Sequence, residues 1–184
     1  VAGYQTGIYD VMGVRFLVTH GYDILKGEPG DWSMFREVIE RFCGRDAGET
    51  HWEIQYDLVM AHMKQHRRQL LFPEEDRPGH FLAFVGEPGA GKTWWQATQL
   101  PKLLTNRAFF QDSENLSSQF NAEMGVNELI VLSDSTGSTD YHARDRIADI
   151  LRKLVGNPQV SVEKKGVDRV NLPVKQRVIA SANI

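Results

Sequence analysis

Residues 86–93 have the sequence Gly86-Glu87-Pro88-Gly89-Ala90-Gly91-Lys92-Thr93. This stretch fits the pattern G-x-x-x-x-G-K-[ST], in which backbone N–H groups of a glycine-rich loop bind phosphate oxygens. The apolar residues 81–85 before it predict a buried strand, and residues 94–100 after it can begin a helix. The alternative is a chance glycine-rich turn, and the flanking strand, the flanking helix and the Lys-Thr pair all argue against it.

The pattern gives each part of this loop a role. Residues 86–93 are predicted to bind the nucleotide, with Lys92 reaching the β- and γ-phosphates and the Thr93 hydroxyl taking a magnesium position. The start of the following helix adds partial positive charge at the same place. The sequence therefore predicts ATP and Mg²⁺ as cofactors.

Composition limits the class of protein. The 184 residues are 41% hydrophobic and 24% charged, as in a soluble globular protein. The net charge of −3 gives no overall basic field, so any contact with nucleic acid must be local. Cys43 is the single cysteine, which excludes an internal disulfide and fits a reducing compartment. We expect a cytoplasmic protein, inside a bacterial or virus-infected host cell, without a membrane span.

Two regions differ in their patterns. Residues 1–78 are predicted to be a mostly helical N-terminal segment, with a short strand at 14–18 and capping-box spacing of Thr50 and Glu53 before a second helix. Residues 79–184 alternate strands and helices, which predicts an α/β ATPase core. We also expect the chain to be a piece of a longer protein, truncated at its C-terminal end.

Two groups of side chains in these regions have alternative interpretations. A basic patch could be formed by His51, His62 and the His66-Arg67-Arg68 run, but a solvated helix face is favoured. Trp94 and Trp95 follow the loop directly, and packing of the helix is favoured over stacking on adenine.

A second apolar run, residues 129–132, ends in Ser133-Asp134-Ser135. A carboxylate at the carboxyl end of a buried strand is where ATPases with such a loop hold magnesium, usually through water. The pattern predicts Asp134 as a metal ligand, although an Asp-containing turn after a strand is common by itself. Weaker candidates, because none is expected to end an apolar strand, are Asp112, Glu114 and Glu128.

Three further elements follow. Residues 144–155 predict an amphipathic helix, and residues 160–170 alternate around Lys164-Lys165-Gly166, which predicts a hairpin with a basic tip. From the residues alone, a solvated turn is favoured there over contact with nucleic acid. Residues 177–183 predict a third strand that ends in Asn183.

Together these segments resemble the superfamily 3 helicases, the AAA+-type ring motors of small DNA viruses, phages and plasmids, and most closely the helicase half of phage and poxvirus-type primase-helicases. The stretches that carry the resemblance are the loop 86–93 and residues 150–183; before residue 80 the resemblance is weak. It implies an α/β fold in which a P-loop (AAA+-like) sheet is flanked by helices and preceded by a mostly helical N-terminal segment.

The resemblance also implies roles for individual residues. Lys92, Asp134 and Asn183 would act in ATP hydrolysis, with Asn183 lying between the two core strands and orienting the attacking water. Lys164 and Lys165 would bind DNA phosphates from a hairpin in the ring channel. The implied partners are single-stranded or forked DNA, further copies in a homo-hexamer, and a primase domain in the same polypeptide.

This sequence departs from the family pattern at two places. The family usually has two adjacent acids where Asp134 stands between Ser133 and Ser135, so the residue that polarises water is unidentified and hydrolysis is expected to be slow relative to binding. Gly166 stands where related helicases often have His, which removes a ring contact with DNA. The arginine that completes the site from a neighbouring subunit follows residue 184 or is one of three candidates, Arg144, Arg146 and Arg169.

Two other classes of function stay open. The missing second acid favours a nucleotide-binding module that assembles or loads a partner and hydrolyses ATP weakly. A P-loop NTPase that does not move DNA, such as a small-molecule kinase or a packaging ATPase, would leave the basic hairpin and the terminal Asn183 unexplained.

Overall fold

The computed structural model describes residues 3–11, 13–75, 79–105, 107–112, 124–133, 141–164 and 167–183. Its first part contains an antiparallel hairpin of β1 (Gly7–Val11) and β2 (Val14–Val18), followed by helices α1 (Ser33–Phe42) and α2 (Trp52–Leu71). The strand expected at 14–18 is therefore confirmed, whereas its partner β1 was not predicted.

A tight reversal separates α1 from α2. Gly44 and Gly48 have φ of 92° and 75° on either side of a single 3₁₀ turn, Arg45–Ala47, and this left-handed region is one that glycine adopts without strain. The expected capping box is wrong: α2 begins at Trp52, and His51 before it makes no side-chain capping bond.

The centre of the fold is a parallel sheet of four strands. Their bounds are β3 (Phe81–Gly86), β4 (Ala108–Asp112), β5 (Leu129–Ser133) and β8 (Arg177–Asn183). The order across the sheet is β3-β8-β5-β4, so β8 lies between β3 and β5. Because all four strands run the same way, their carboxyl ends meet at one edge. Three of these strands were predicted, and β4 was not.

Helices cover both faces of the sheet. Side chains alternate along β5, so Leu129 and Val131 pack in one cluster with α1 and α2, while Ile130 and Leu132 pack in a second cluster with α5 (Tyr141–Gly156). Burial on both faces explains the continuous apolar runs of β5 and β8. The fold is thus a mixed α/β arrangement with a four-stranded parallel sheet flanked by helices. The expectation that residues 81–85 form a buried strand is wrong, because β3 lies at the edge of the sheet and its Phe81 and Val85 are 42% and 62% exposed.

A second hairpin precedes β8 directly. β6 (Gln159–Lys164) and β7 (Val167–Pro173) pair antiparallel, with an irregular register between Val162 and Lys164. This confirms the predicted hairpin, although Lys165 and Gly166 at its tip are outside the described residues. Among the helices that the structure describes, none combines the length and apolar character that crossing a membrane requires.

Candidate functional site

The loop after β3 connects the sheet to a helical run that we call the loop helix (92–104). The run consists of α3 (Lys92–Trp94), a π-helical turn (Trp95–Gln99) and α4 (Leu100–Leu104). Pro101 lacks the N–H that continues an ordinary helical ladder, and the widened turn lies directly before it. Widened turns of this kind occur frequently at functional sites.

The glycines of the loop have a structural reason. Gly89 and Gly91 have φ of 83° and 85°, a conformation that strains residues with a Cβ. Apart from their chain neighbours, no heavy atom of the described residues lies within 4 Å of where a Cβ would stand at Gly86, Gly89 or Gly91, so the described part of the chain leaves space beside the loop. The loop therefore leaves its backbone accessible to a ligand.

Lys92 joins the loop to the end of β8. Its Nζ donates to the carbonyl oxygens of Gly86 and Glu87, both at 2.8 Å, and to Oδ1 of Asn183 at 2.9 Å. An ammonium has three N–H groups, so these acceptors use all of them. Gly86 and Asn183 also face each other in the register of β3 and β8. The structure thus brings together two residues that the sequence singled out 91 positions apart.

A cavity of about 310 Å³ opens on this group of residues. Its lining consists of loop residues 88–91 and of the side chains or backbone of Lys92, Thr93, Trp94, Ser181 and Asn183. The volume is at the lower end of the range for small-ligand sites. An ammonium beside a glycine-rich loop with open space next to it suits an anionic ligand, which fits the triphosphate and magnesium expected from the motif.

For Asp134, the acid expected beside the loop, the structure describes only the strand that precedes it. β5 ends at Ser133, at the same edge of the sheet as the loop, but Asp134 and Ser135 are outside the part of the chain that the structure describes. Asp112 is the last residue of β4, a strand that was not predicted, and it pairs in register with Ser133. Glu114 is also not described.

Glu128 lies at the opposite edge of the sheet and has a structural setting. It is fully buried, and its carboxylate contacts the Arg107 guanidinium at 3.0 Å and accepts a hydrogen bond from the Gly3 N–H at 3.2 Å. Burial raises the pKa of Glu128, while Arg107 acts in the opposite direction. These contacts tie the N-terminal hairpin region to the start of β5.

For Lys164 and for the three arginines that could complete a neighbouring site, the structure shows only the helix or strand on which each residue lies. Lys164 is the last residue of β6, and its side chain is not described. Arg144 and Arg146 lie on α5 and Arg169 lies on β7, again without described side chains. Their roles therefore stay predictions.

Two histidines of α2, His62 and His66, are not on the solvated face that the sequence favoured. Both side chains are buried between α2 and the sheet. None of their ring nitrogens has a hydrogen-bond partner among the described residues. Burial and the nearby Arg177 lower the pKa of His62 to about 4 and the pKa of His66 well below its usual value.

The two tryptophans after the loop have different environments. Trp95 is buried, and the centroid of its ring lies 6.2 Å from that of Phe35 and 5.8 Å from that of Phe42. Packing therefore accounts for this tryptophan. Trp94 is 50% exposed and lines the cavity beside the loop.

Two polar residues next to this site were not expected from the sequence. Gln96 is fully buried, and its Nε2 donates to Oγ of Ser181 at 2.9 Å. A signal was available, because Gln96 is four residues after Lys92 on the helix and Ser181 is two residues before Asn183 on the strand. These spacings place each pair on one face of its element.

Several solved structures have a similar fold. Two are titled "The A form apo structure of NrS-1 C terminal region-CTR" and "The apo structure of NrS-1 C terminal region (305-718)"; both have a TM-score of 0.59, with 15% and 14% sequence identity. A third, titled "The A form apo structure of NrS-1 C terminal region-CTR(305-718)", has a TM-score of 0.55 and 14% identity. At such identity the likeness shows the fold alone.

The matches cover 96% of this chain but only 39–40% of those structures, so the chain spans about two fifths of the length of the proteins that it resembles. No curated protein matches the sequence. One family does: its description is "Family of unknown function (DUF5906)", and it matches residues 84–184, from the end of β3 through β8. The match includes the loop, Lys92 and Asn183 and extends over more than half of the chain, and the chain therefore belongs to the DUF5906 family.

Proposed function

We propose that this domain binds ATP with Mg²⁺ at the loop 86–93 and serves as the ATPase motor of a DNA helicase in a phage, plasmid or viral replication protein. The observation that carries the proposal is the contact of Lys92 with Asn183 beside an open loop in which Gly89 and Gly91 have positive φ. The order of the strands supports it as well, because β8 lies between β3 and β5, where the resemblance to ring ATPases puts the strand that ends in Asn.

The proposal gives each residue a task. The N–H groups of the loop and the Lys92 ammonium bind phosphate oxygens, and Lys92 exchanges the neutral acceptors that it now contacts for anionic ones, which form stronger hydrogen bonds. Thr93 and Asp134 hold the metal, and Asn183 orients water. Bound ATP with Mg²⁺ would supply the bond between the β- and γ-phosphates, whose hydrolysis to ADP and phosphate would drive movement.

Nucleotide binding to Lys92→Ala tests the loop directly. We expect the full-length polypeptide to bind ATP with Mg²⁺ and to lose most of this affinity and its ATP turnover in the variant, because an ammonium contacting the phosphates is removed. Lys102→Ala is the matched control, since Lys102 is exposed on the same helical run. Titration calorimetry and phosphate release measure the two effects. Equal affinity and turnover in Lys92→Ala and the unaltered protein would exclude this loop as the nucleotide site.

A nucleotide-dependent assembly or loading module is the second candidate. The serines on both sides of Asp134 favour it, because a second acid that could polarise water is missing there. Comparing ATP affinity with turnover, with and without single-stranded or forked DNA, separates the candidates. A motor hydrolyses ATP faster when DNA is bound, whereas a loading module binds ATP tightly and shows no such stimulation.

DNA contact and ring formation belong to the same proposal. The β6–β7 hairpin is joined to β8 by only three residues, 174–176, so a movement at the loop can reach the hairpin through one strand. In a homo-hexamer, hairpins from six copies would surround a channel and contact DNA through Lys164 and Lys165. Mass photometry of the full-length polypeptide with and without ATP measures the assembly.

A further inference from the structure

Among the described residues, two side-chain hydrogen bonds join the loop helix to the end of β8. Lys92 contacts Asn183 at 2.9 Å, and Gln96 contacts Ser181 at 2.9 Å. Lys92 and Gln96 are one helical turn apart, whereas Ser181 and Asn183 are two residues apart on one face of the strand. The contacts therefore form two successive links between the same helix and the same strand.

Packing alone does not account for the glutamine in this position. Gln96 is fully buried beside Trp95, and its Oε1 has no hydrogen-bond partner among the described residues. Burying an amide is unfavourable unless its hydrogen bonds are made, and a methionine of similar length would avoid this penalty. The hydrogen bond to Ser181 is the specific feature that glutamine provides.

We infer that Gln96 is a positioning residue, which through Ser181 holds the end of β8 against the loop helix so that Asn183 meets the Lys92 ammonium. Ser181 and Asn183 both line the cavity beside the loop, so a lateral shift of β8 would move both groups relative to Lys92. Gln96 lies behind the loop and does not line that cavity, and it acts only through its partner. The consequence for ATP hydrolysis rests on the proposed function, but the effect on Lys92 does not.

The reactivity of Lys92 tests this inference without any nucleotide. Limited acetylation of the full-length polypeptide with acetic anhydride, quantified by mass spectrometry, reports how firmly the Lys92 amine is held, with exposed Lys102 as the internal reference. In Gln96→Met and Ser181→Ala we expect labelling of Lys92 to rise severalfold relative to Lys102. Ser181→Thr keeps the hydroxyl, so the labelling of Lys92 in this variant should stay close to that of the unaltered protein.

Two controls separate positioning from general loosening of the fold. Gln99→Met makes the same substitution within the same π turn, at a residue that is only partly buried, and should leave the labelling of Lys92 unchanged. The double variant Gln96→Met with Ser181→Ala should show the same labelling of Lys92 as either single variant, because both substitutions remove the same hydrogen bond. Unchanged labelling in Gln96→Met, or labelling in the double variant equal to the product of the two single effects, would overturn the inference.

Kinetics supply the second measurement. If the protein hydrolyses ATP, we expect Gln96→Met to lower kcat by about 10- to 100-fold, the range for a displaced catalytic group, with KM changed less than about twofold. A rise in KM at constant kcat would contradict positioning. Absence of ATP binding in the unaltered protein would instead reject the proposed function and leave the labelling result to decide the role of Gln96.

Discussion

Lys92 shows how much one side chain can depend on distant parts of a chain. Two of its three acceptors are carbonyls of its own loop, and these follow from the local sequence. The third is Asn183, which reaches Lys92 only because β8 is inserted beside β3. A lysine and an asparagine that are 91 positions apart in the sequence thereby become one group with a defined geometry.

Buried His62 and His66 lead to a prediction for stability. The pKa of His62 is lowered to about 4 from 6.5, and Arg177 and His80 disfavour its charged form in addition to burial. Between these values the unfolded chain binds protons that the folded chain does not, so the free energy of unfolding falls as the pH drops from 6.5 toward 4. His62→Gln should reduce this dependence by up to about 1.4 kcal/mol per pH unit, the value for one proton.

Urea denaturation at a series of pH values measures this dependence. His51→Gln is the control, because His51 is exposed directly before α2 and its replacement should leave the slope unchanged. An identical slope in His62→Gln and the unaltered protein would show that His62 is not buried in its neutral form.

At the scale of elements, the β6–β7 hairpin is separate from the central sheet. Its two strands pair with each other and belong to a sheet of their own, and its tip carries the Lys164-Lys165 pair. The hairpin joins the amino end of β8, at the edge of the sheet opposite the loop 86–93, so β8 connects the hairpin to the site along the full length of the strand. An element of this kind can change its contacts without unfolding the domain.

Removing the two lysines gives a prediction for DNA binding. The double variant Lys164→Ala with Lys165→Ala should bind single-stranded DNA more weakly, and the slope of log K against log salt should be smaller by about 1.4, at about 0.7 for each lost phosphate contact. Fluorescence anisotropy at several salt concentrations measures both quantities. Lys153→Ala on the exposed side of α5 is the control, and an unaltered slope in the hairpin variant would exclude these lysines from the DNA interface.

At the scale of the whole molecule, the N-terminal helices and the sheet share one core. Ile39 of α1 and Val59 of α2 belong to the same buried cluster as Trp95, Leu129 and Ile179. The boundary drawn near residue 78 from the sequence therefore separates two patterns along the chain, whereas the hydrophobic contacts cross it. Such a shared core favours unfolding in one cooperative step.

Ile39→Ala tests this cooperativity. Ile39 is fully buried, and we expect its truncation to lower the free energy of unfolding by about 2–5 kcal/mol. Met34 on the same helix is 78% exposed, and Met34→Ala should change stability by less than about 0.5 kcal/mol. Far-UV circular dichroism and tryptophan fluorescence should report one coincident transition in urea. Two separated transitions would show that the regions before and after residue 78 unfold independently.

The sequence by itself determined the local features of this protein. The loop 86–93, the strands at 81–85, 129–132 and 177–183, and the hairpin at 160–170 were all predictable, because turn conformation and apolar runs leave a pattern in neighbouring residues. The exposed edge position of β3 was not predictable from that pattern. β4 escaped prediction since Ala108–Asp112 is short and ends in two polar residues, and β1 since its alternation is weak and Gly7 begins it.

Only the tertiary structure decided which of these elements are neighbours. The insertion of β8 between β3 and β5, the meeting of Lys92 with Asn183, the buried link from Gln96 to Ser181, and the burial of His62 and His66 all join residues from separate elements. The physical reason is that pairing of strands and packing of helices depend on contacts between distant residues, and a single sequence carries no periodic signal for such contacts.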